Sequence, residues 1–469
     1  MRAKSLLAAL TGVVVLGAAA GAGAATYLTD RELPAKDAAF APAYQGQTGP
    51  VRSSLLCFAY PTIPNPTAGI DAVHVEEEKS SWAGVFADAE AHLISPTGAK
   101  AAFTGAAPDA FIVDSPMSAK HVAGQVDSPA DAVVAGASIQ NAKAGDSRGL
   151  AAATCQWPSN SVWLVGGASK VGNWLSLMME NASPTPTTVN IDVYSSRGKL
   201  EVTRPAITLE ANATFSGDLT GIIAEDERIA IRLSSDTGAF VGALQVAALD
   251  GVKPAGIDIL SDASVGTRTV IPGLIIPDDR STSATVRVVN PHASPAQVNI
   301  ATISADGLTP LPGGQGVTVA PQAVLDLSLD GLAPGSYGVQ VSADQEIASA
   351  VALTRTDTDG VDKAWLAGKK QVTKGGLAIG PYAAQLVLTG NARATWTAYD
   401  AAGAQLSSES VTVKEIATVD VPAEAHFLTL EAEEPVYGAA MLTSDSGIAW
   451  VALTQDSTSN QSVKLTSRN

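Results

Sequence analysis

Apolar and polar residues alternate in short runs along most of the chain. Val189-Asn190-Ile191-Asp192-Val193-Tyr194 is one such run, closed by Ser196-Arg197-Gly198. Val298-Asn299-Ile300-Ala301-Thr302-Ile303 is followed by Ala305-Asp306-Gly307, and Ala394-Thr395-Trp396-Thr397-Ala398-Tyr399 by Ala401-Ala402-Gly403. A shorter version, Ala91-His92-Leu93-Ile94, ends at Gly98. Strand side chains point to opposite faces in turn, so each run predicts a strand with one buried and one wet face. The glycine supplies the positive φ of the turn. No long stretch after Leu28 carries a helical period. Short strands with a turn signal about every 8–12 residues are the pattern of antiparallel sandwiches.

The pattern repeats. Val134-Ala135-Gly136-Ala137, Val241-Gly242-Ala243, Ile347-Ala348-Ser349-Ala350 and Ile448-Ala449-Trp450-Val451 carry one small-residue strand signature. From Ala137 to Ala243, Ala350 and Val451 the steps are 106, 107 and 101 residues. Partner strands repeat too: Arg287-Val288-Val289-Asn290-Pro291 resembles Leu177-Met178-Met179-Glu180-Asn181. Pro291 has no N–H to donate, so its strand should stop there. Trp163-Leu164-Val165-Gly166, Ile271-Pro272-Gly273 and Trp365-Leu366-Ala367-Gly368 read as repeat starts. The expected fold is all-β: a tandem array of about four antiparallel β-sandwich-like modules after an N-terminal hydrophobic export or anchor helix. The boundaries fall at 1–29 for that helix, 30–50 for a Pro/Ala/Gly-rich stalk, and 51–158, 159–260, 261–360 and 361–469 for the modules. The first module is the most divergent, and its stretch Phe111 to Gln125 has room for a helix or an extra hairpin.

The N-terminus indicates the compartment. Arg2 and Lys4 precede an uncharged run from Ser5 to Thr29, the signature of an export signal. Two outcomes stay open: cleavage near Ala24 with release, or an uncleaved membrane anchor. Both put the chain after Leu28 outside the cytoplasm. The end of the sequence shows no hydrophobic tail or sorting signal. Two cysteines, Cys57 and Cys155, suggest one disulfide across the first module in an oxidising compartment; two buried free thiols are the alternative. The formal net charge is −17 with no cluster of Lys and Arg, which argues against nucleic acid as a partner. The run Glu76-Glu77-Glu78 reads as a solvated face.

Several motifs mimic catalytic signatures. Asp236-Thr237-Gly238 and Asp445-Ser446-Gly447 are the paired triplets of an aspartic protease, but the third repeat carries Asp344-Gln345-Glu346 at that place, which suits a hairpin turn. Gly145-Asp146-Ser147-Arg148-Gly149 fits the hydrolase elbow, with Ser147 as nucleophile. That elbow needs a strand before and a helix after. The segment from Leu150 to Cys155 is too short for such a helix, so a structural loop is expected. Asp357, Asp359 and Asp362 resemble the start of a calcium loop that lacks its bidentate glutamate; a turn between modules is the expected reading and weak metal binding the alternative. His74, His92, His121, His292 and His426 are scattered without ligand spacing. No cofactor is implied. Trp157 and Trp174, with Arg148, form the candidate binding surface at the junction of the first two repeats, while Trp163 and Trp365, at equivalent repeat positions, suit the core.

The run from Gly145 to Cys155, Gly-Asp-Ser-Arg-Gly-Leu-Ala-Ala-Ala-Thr-Cys, followed by Trp163-Leu164-Val165-Gly166-Gly167-Ala168, resembles an uncharacterised actinobacterial family of signal-anchored extracytoplasmic proteins. The resemblance covers most of the chain after the stalk. It implies mainly β-structure, a membrane contact through the N-terminal segment only, and a neighbourhood of envelope-glycan assembly. It carries over no catalytic residue. The expected function is a non-catalytic envelope protein, a scaffold, spacer or partner-binding surface for envelope proteins or wall glycan. A carbohydrate-binding module array is the alternative, and a hydrolase using Ser147 a remote one.

Overall fold

The computed structural model describes residues 133–455 apart from positions 182, 184, 212, 221, 280 and 359, together with six earlier strands. Those strands are Ser53–Cys57, Glu77–Phe86, His92–Ile94, Lys100–Ala102, Asp109–Asp114 and Val122–Asp127. The N-terminal hydrophobic run, the stalk, His74, His121 and Asp359 lie outside the described residues. Among the described residues no helix is long and apolar enough to cross a membrane. Every described regular element is a strand. Pairing is antiparallel apart from two single-residue contacts, Ala255 with Val361 and Ser195 with Ala323.

The second module sets the pattern. Ser161–Val165, Ile229–Ser234 and Thr187–Ser195 pair in one sheet, with the short strands Gly198–Leu200 and Ala206–Leu209 beyond. Thr214–Asp218, Asn173–Glu180, Val241–Asp250 and Lys253–Leu260 pair in the other. Leu164, Leu175, Leu177, Ile191, Ile231 and Phe240 fill the space between them and are buried, as the alternation requires. The third module repeats this strand by strand: Thr282–Val289 stands for Asn173–Glu180, Ala296–Ser304 for Thr187–Ser195, and Val361–Ala367 for Lys253–Leu260. One strand differs. Gly335–Thr356 runs 22 residues through both sheets, where the second module breaks between Ser234 and Val241. In the fourth module Ala383–Tyr399, Gln405–Asp420 and Phe427–Thr443 are all long, and one six-stranded sheet results.

The second and third modules share a polar latch. Asn181 donates to the carbonyls of Thr185, Leu209 and Glu210 at 2.7, 3.3 and 3.1 Å. Asn290 donates to Ser294, Val319 and Ala320 at 2.8, 3.3 and 3.1 Å. Both are fully buried, and both satisfy carbonyls where a strand ends, which leaving unpaired would cost. The strand before Pro291 stops at Val289, as expected.

Several of the repeat correspondences differ in three dimensions. Ala243 and Ala350 occupy matching strands, opposite Met178 and Arg287. Val451 does not: Ile448–Ala452 closes the last hairpin of its module, the counterpart of Val361–Ala367 rather than of Ile347–Ala350, and the two-residue strand Thr454–Gln455 follows it. The boundary at 361 likewise falls one strand early, because Val361–Ala367 pairs over seven residues with the third module's long strand. Trp163 lies in a first strand and Trp365 in a last one, so they are not equivalent, although both are buried. Where the stretch Phe111 to Gln125 is described it is strand: Asp109–Asp114 pairs with Glu77–Phe86, and Val122–Asp127 with Ser53–Cys57 and His92–Ile94, while positions 115–121 lie outside the described residues.

The modules close into a ring. Each has a closing hairpin, and the last strands of these four hairpins, Gly149–Thr154, Lys253–Leu260, Val361–Ala367 and Ile448–Ala452, meet in sequence order, with the fourth returning to the first. Cores run across the junctions. One joins the second and third modules to Met441, Ile448 and Trp450 of the fourth. Another joins Trp82, Ile139 and Leu150 of the first to Leu377, Phe427 and Val451 of the fourth.

Candidate functional site: a buried hub and an open cleft

Where the four last strands meet, one carboxylate serves all of them. Asp362, on the third module's last strand, accepts hydrogen bonds from the backbone N–H of Leu150 at 3.1 Å, Ile257 at 3.2 Å and Ile448 at 2.8 Å. These belong to the last strands of the first, second and fourth modules. Burial pushes the Asp362 carboxyl up to about 7, against the backbone hydrogen bonds that pull it down. Asp258, accepting from Trp365 N–H at 2.6 Å, is pushed by burial to about 8. Lys369 donates to the Asp262 carbonyl at 2.6 Å and lies 5.5 Å from the Trp450 ring centroid. The indole N–H of Trp450 in turn reaches the Pro272 carbonyl at 3.0 Å. The hub is a polar network of backbone donors and buried acceptors, which rigidifies when its members are paired.

Three of the catalytic-looking motifs collapse onto this hub. Gly145–Gly149, Asp357–Gly360 and Asp445–Gly447 each fill the turn of a module's last hairpin. A Cβ on Gly149 or on Gly447 would collide with the Asp362 carboxylate. Close approach, not chemistry, therefore demands the second glycine of the elbow-like motif and the glycine of Asp-Ser-Gly. Ser147 is buried in a strand–turn–strand unit, not the strand–turn–helix of a nucleophile elbow. Asp236-Thr237-Gly238 sits elsewhere, in a crossing between the two sheets of the second module rather than in a hairpin turn. Asp236 and Asp445 are thus not counterparts. In the third module Asp344-Gln345-Glu346 is continuous strand.

The remaining candidates separate. Arg148 is buried, 8% exposed in its side chain, and reaches Asp357 at 3.0 Å and the Asp445 carbonyl at 3.2 Å. It ties three hub turns together and is not surface, which corrects its place beside the tryptophans. Asp357 faces that arginine while Asp362 faces the hub, so the calcium-like spacing does not converge. No group of three or more metal-ligating side chains occurs among the described residues. His292 is tied to the Glu346 carbonyl and His426 to that of Glu424. Cys155 is buried beside the hub strands, and no described cysteine is a free thiol; the Cys57 side chain is outside the described residues. Trp157 is half-buried in the link between the first two modules. Trp174 is half-buried too and lines a cleft that Trp157 does not reach.

That cleft, of about 260 Å³, opens between the second and third modules. Its neighbour relation to the hub arises from strand alternation. Asp362 turns to the hub, while Lys363 and Trp365, one and three residues on, turn to the cleft. Trp174 and Val246 line the second module's side, and Thr285, Arg287 and Thr354 the third's. Arg287 is the clamp. Its Nε and Nη2 grip both oxygens of Asp326 at 2.8 and 2.9 Å. Its remaining donors take the carbonyls of Gly167, Ile229 and Glu227 across the junction, at 2.6, 3.2 and 3.2 Å. The guanidinium lies 4.8 Å from the Trp365 ring centroid. Bidentate pairing and ring stacking in one side chain are what a lysine could not supply. Lys170 pairs with Glu227 at 3.0 Å on the rim. Lys363 has no carboxylate within ion-pair distance among the described residues. Burial, then the charges of Arg287 and Lys170, hold its ammonium below the ordinary lysine range. Sequence reading missed both Arg287 and Lys363. The only signal was a basic residue inside an otherwise apolar strand, which gains meaning once two modules face each other.

The chain belongs to a family of unknown function (DUF5719), which matches residues 110–424. No curated protein matches it. Among solved structures, a Thermotoga maritima protein (1070) is 16% identical, covering 22% of this chain and 91% of its own, at a TM-score of 0.19. The BSP domain of a biofilm-associated protein is 9% identical, covering 81% and 91%, at 0.13. The YadV chaperone is 10% identical, covering 45% and 100%, at 0.13.

Proposed function

We propose that this protein is a non-catalytic extracytoplasmic envelope protein whose four modules act as a single rigid scaffold and partner-binding body. The observation that carries this reading is the Asp362 hub. One buried carboxylate accepts from the backbone of the three other modules, so the ring holds as a unit rather than as four independently moving spacers. The elbow-like Gly145–Gly149 fills one of its hairpin turns, which removes the specific support for a hydrolase using Ser147. The charged flank and apolar run at Arg2 to Thr29 support export, either with retention at the membrane or with cleavage near Ala24. A disulfide between Cys57 and Cys155 belongs to the same reading. These are the only cysteines of the chain, and an oxidising compartment favours their pairing.

Photo-crosslinking in the native cell, from probes placed at exposed positions such as Val171 and Leu308, tests the scaffold reading. A defined set of envelope proteins captured in the absence of any substrate turnover supports it. Capture of cytoplasmic proteins instead would sink it. Mass spectrometry of the unreduced protein should find Cys57 joined to Cys155, and alkylation of both thiols without reductant would refute the pairing. The carbohydrate-binding reading keeps one specific observation, Trp174 in the cleft. It predicts one binding place at a module junction instead of an array.

A further inference from the structure

Among the buried charges of the ring, the cleft stands apart because its cations outnumber its carboxylates. Lys170, Arg228, Arg287 and Lys363 line it against Glu227 and Asp326, on a chain whose net charge is −17. Two of the four are committed: Arg287 has all five donors occupied, and Lys170 has Glu227. Lys363 has neither a carboxylate nor the full hydration of a surface lysine. A partly buried cation without a partner costs free energy that an incoming anion would offset. Around it the walls are those of a ring-binding site. Trp174 and Trp365 give aromatic surface, Val246 and Ala247 apolar surface, and Thr285 and Thr354 bring hydroxyls. The volume of about 260 Å³ lies just under the roughly 300–1,000 Å³ of drug-sized ligand clefts. One ring fits it, and an extended chain does not.

We propose that the cleft between the second and third modules binds a single pyranose carrying an acidic group, with Lys363 taking the acid and Trp174 packing on the ring. The inference is independent of the envelope reading: a cytoplasmic location or the absence of protein partners would leave it standing. The acid is a carboxylate or a phosphate, and the shared chemistry is one anionic oxygen cluster on a hexose.

Isothermal titration and tryptophan fluorescence on the full-length chain in mild detergent test it, with glucuronate, glucose 1-phosphate, glucose and inorganic phosphate as probes. At least one acidic sugar should bind, at least about tenfold tighter than glucose or inorganic phosphate, a gap of about 1.4 kcal/mol. Binding should weaken with salt. Lys363→Met should lose about tenfold or more, Trp174→Ala a few-fold, and Lys363→Arg should retain most of the affinity. Lys199→Met, outside the cleft lining, should leave binding unchanged. Urea unfolding of each variant separates lost binding from lost fold. Which acidic sugar binds identifies the acid. The inference is overturned if neither binds at about 10 mM, a level at which even a very weak site fills. It is equally overturned if glucose or inorganic phosphate binds as well as the acidic sugars, or if folded Lys363→Met binds like the parent.

Discussion

Asp362 and Lys363 are neighbours on one strand, yet they inhabit opposite kinds of environment. Asp362 is fully enclosed, and its oxygens are engaged by backbone donors from three modules. Lys363 faces an open cleft and lacks an ion-pair partner among the described residues. Strand alternation alone puts them on opposite faces. Burial of a charge is therefore not by itself a sign of function. A buried group with all its partners supplied by the fold is architecture, and a half-buried one with a partner missing is a candidate site.

The hub offers the most severe test of that distinction. Asp362→Ala strands three buried N–H groups at once, each costing about 1–3 kcal/mol. The loss of stability in urea should exceed about 3 kcal/mol, more than for any other substitution considered. Arg287→Met removes the clamp between the second and third modules and leaves three carbonyls and Asp326 unpaired. A loss of about 2–4 kcal/mol is expected, with the added signature of a separate early transition for the second module.

Proton linkage probes the same distinction. Asp362, Asp258 and Asp262 are raised by burial from 3.8 to about 7, 8 and 6. The native state therefore holds these protons more firmly than the unfolded chain. Their stabilising contribution is complete below pH 3.8 and is lost as pH climbs through the raised values. Lys369, lowered by burial to about 8, acts only above that window, where its contribution rises with pH. Thermal midpoints should fall between pH 4 and pH 8, and Asp362→Asn should flatten that slope while lowering the midpoint by losing one acceptor. A midpoint that rises over this range would show that the hub carboxylates are not buried. Lys363→Met should matter least. Removing an unpaired, partly desolvated cation should change stability by no more than about 0.5 kcal/mol, toward stabilisation if anything. A loss near that of Asp362→Ala would erase the distinction between hub and cleft.

Much of the fold was legible in the chain, because strand alternation is local. Val189–Tyr194, Val298–Ile303 and Ala394–Tyr399 are strands in the expected places, and Gly198, Gly307 and Gly403 have positive φ. The strand stop before Pro291 needed only the missing N–H of proline. Register across the fourth module was less legible. There the long strands fuse what are separate strands in the second module, and Ile448–Val451 resembles the wrong member of the set. The hub was hidden for another reason. Asp362 meets Leu150 across 212 residues and Ile448 across 86, and its partners are backbone amides, which every residue type carries. No pattern of side chains announces such a contact. The catalytic-looking glycines of two modules, Gly149 and Gly447, were its trace, read as chemistry because their actual cause, the passage of one carboxylate, lies in another module. The cleft was hidden by the same distance: Trp174 was visible as an aromatic, but Lys363 and Arg287 acquire their roles only from the facing module.

The closed ring also constrains how the molecule comes into being. Asp362 emerges from synthesis before Ile448, so its carboxylate waits for a donor that arrives 86 residues later. Contacts of such separation form slowly, since the entropy of closing long loops precedes any reward. Until the fourth module returns to the first, apolar faces such as Ile139, Leu150 and Val451 remain uncovered and open to aggregation. The hub thus works as a completeness check: a chain interrupted before Ile448 lacks one donor to Asp362 and the strand that closes the ring.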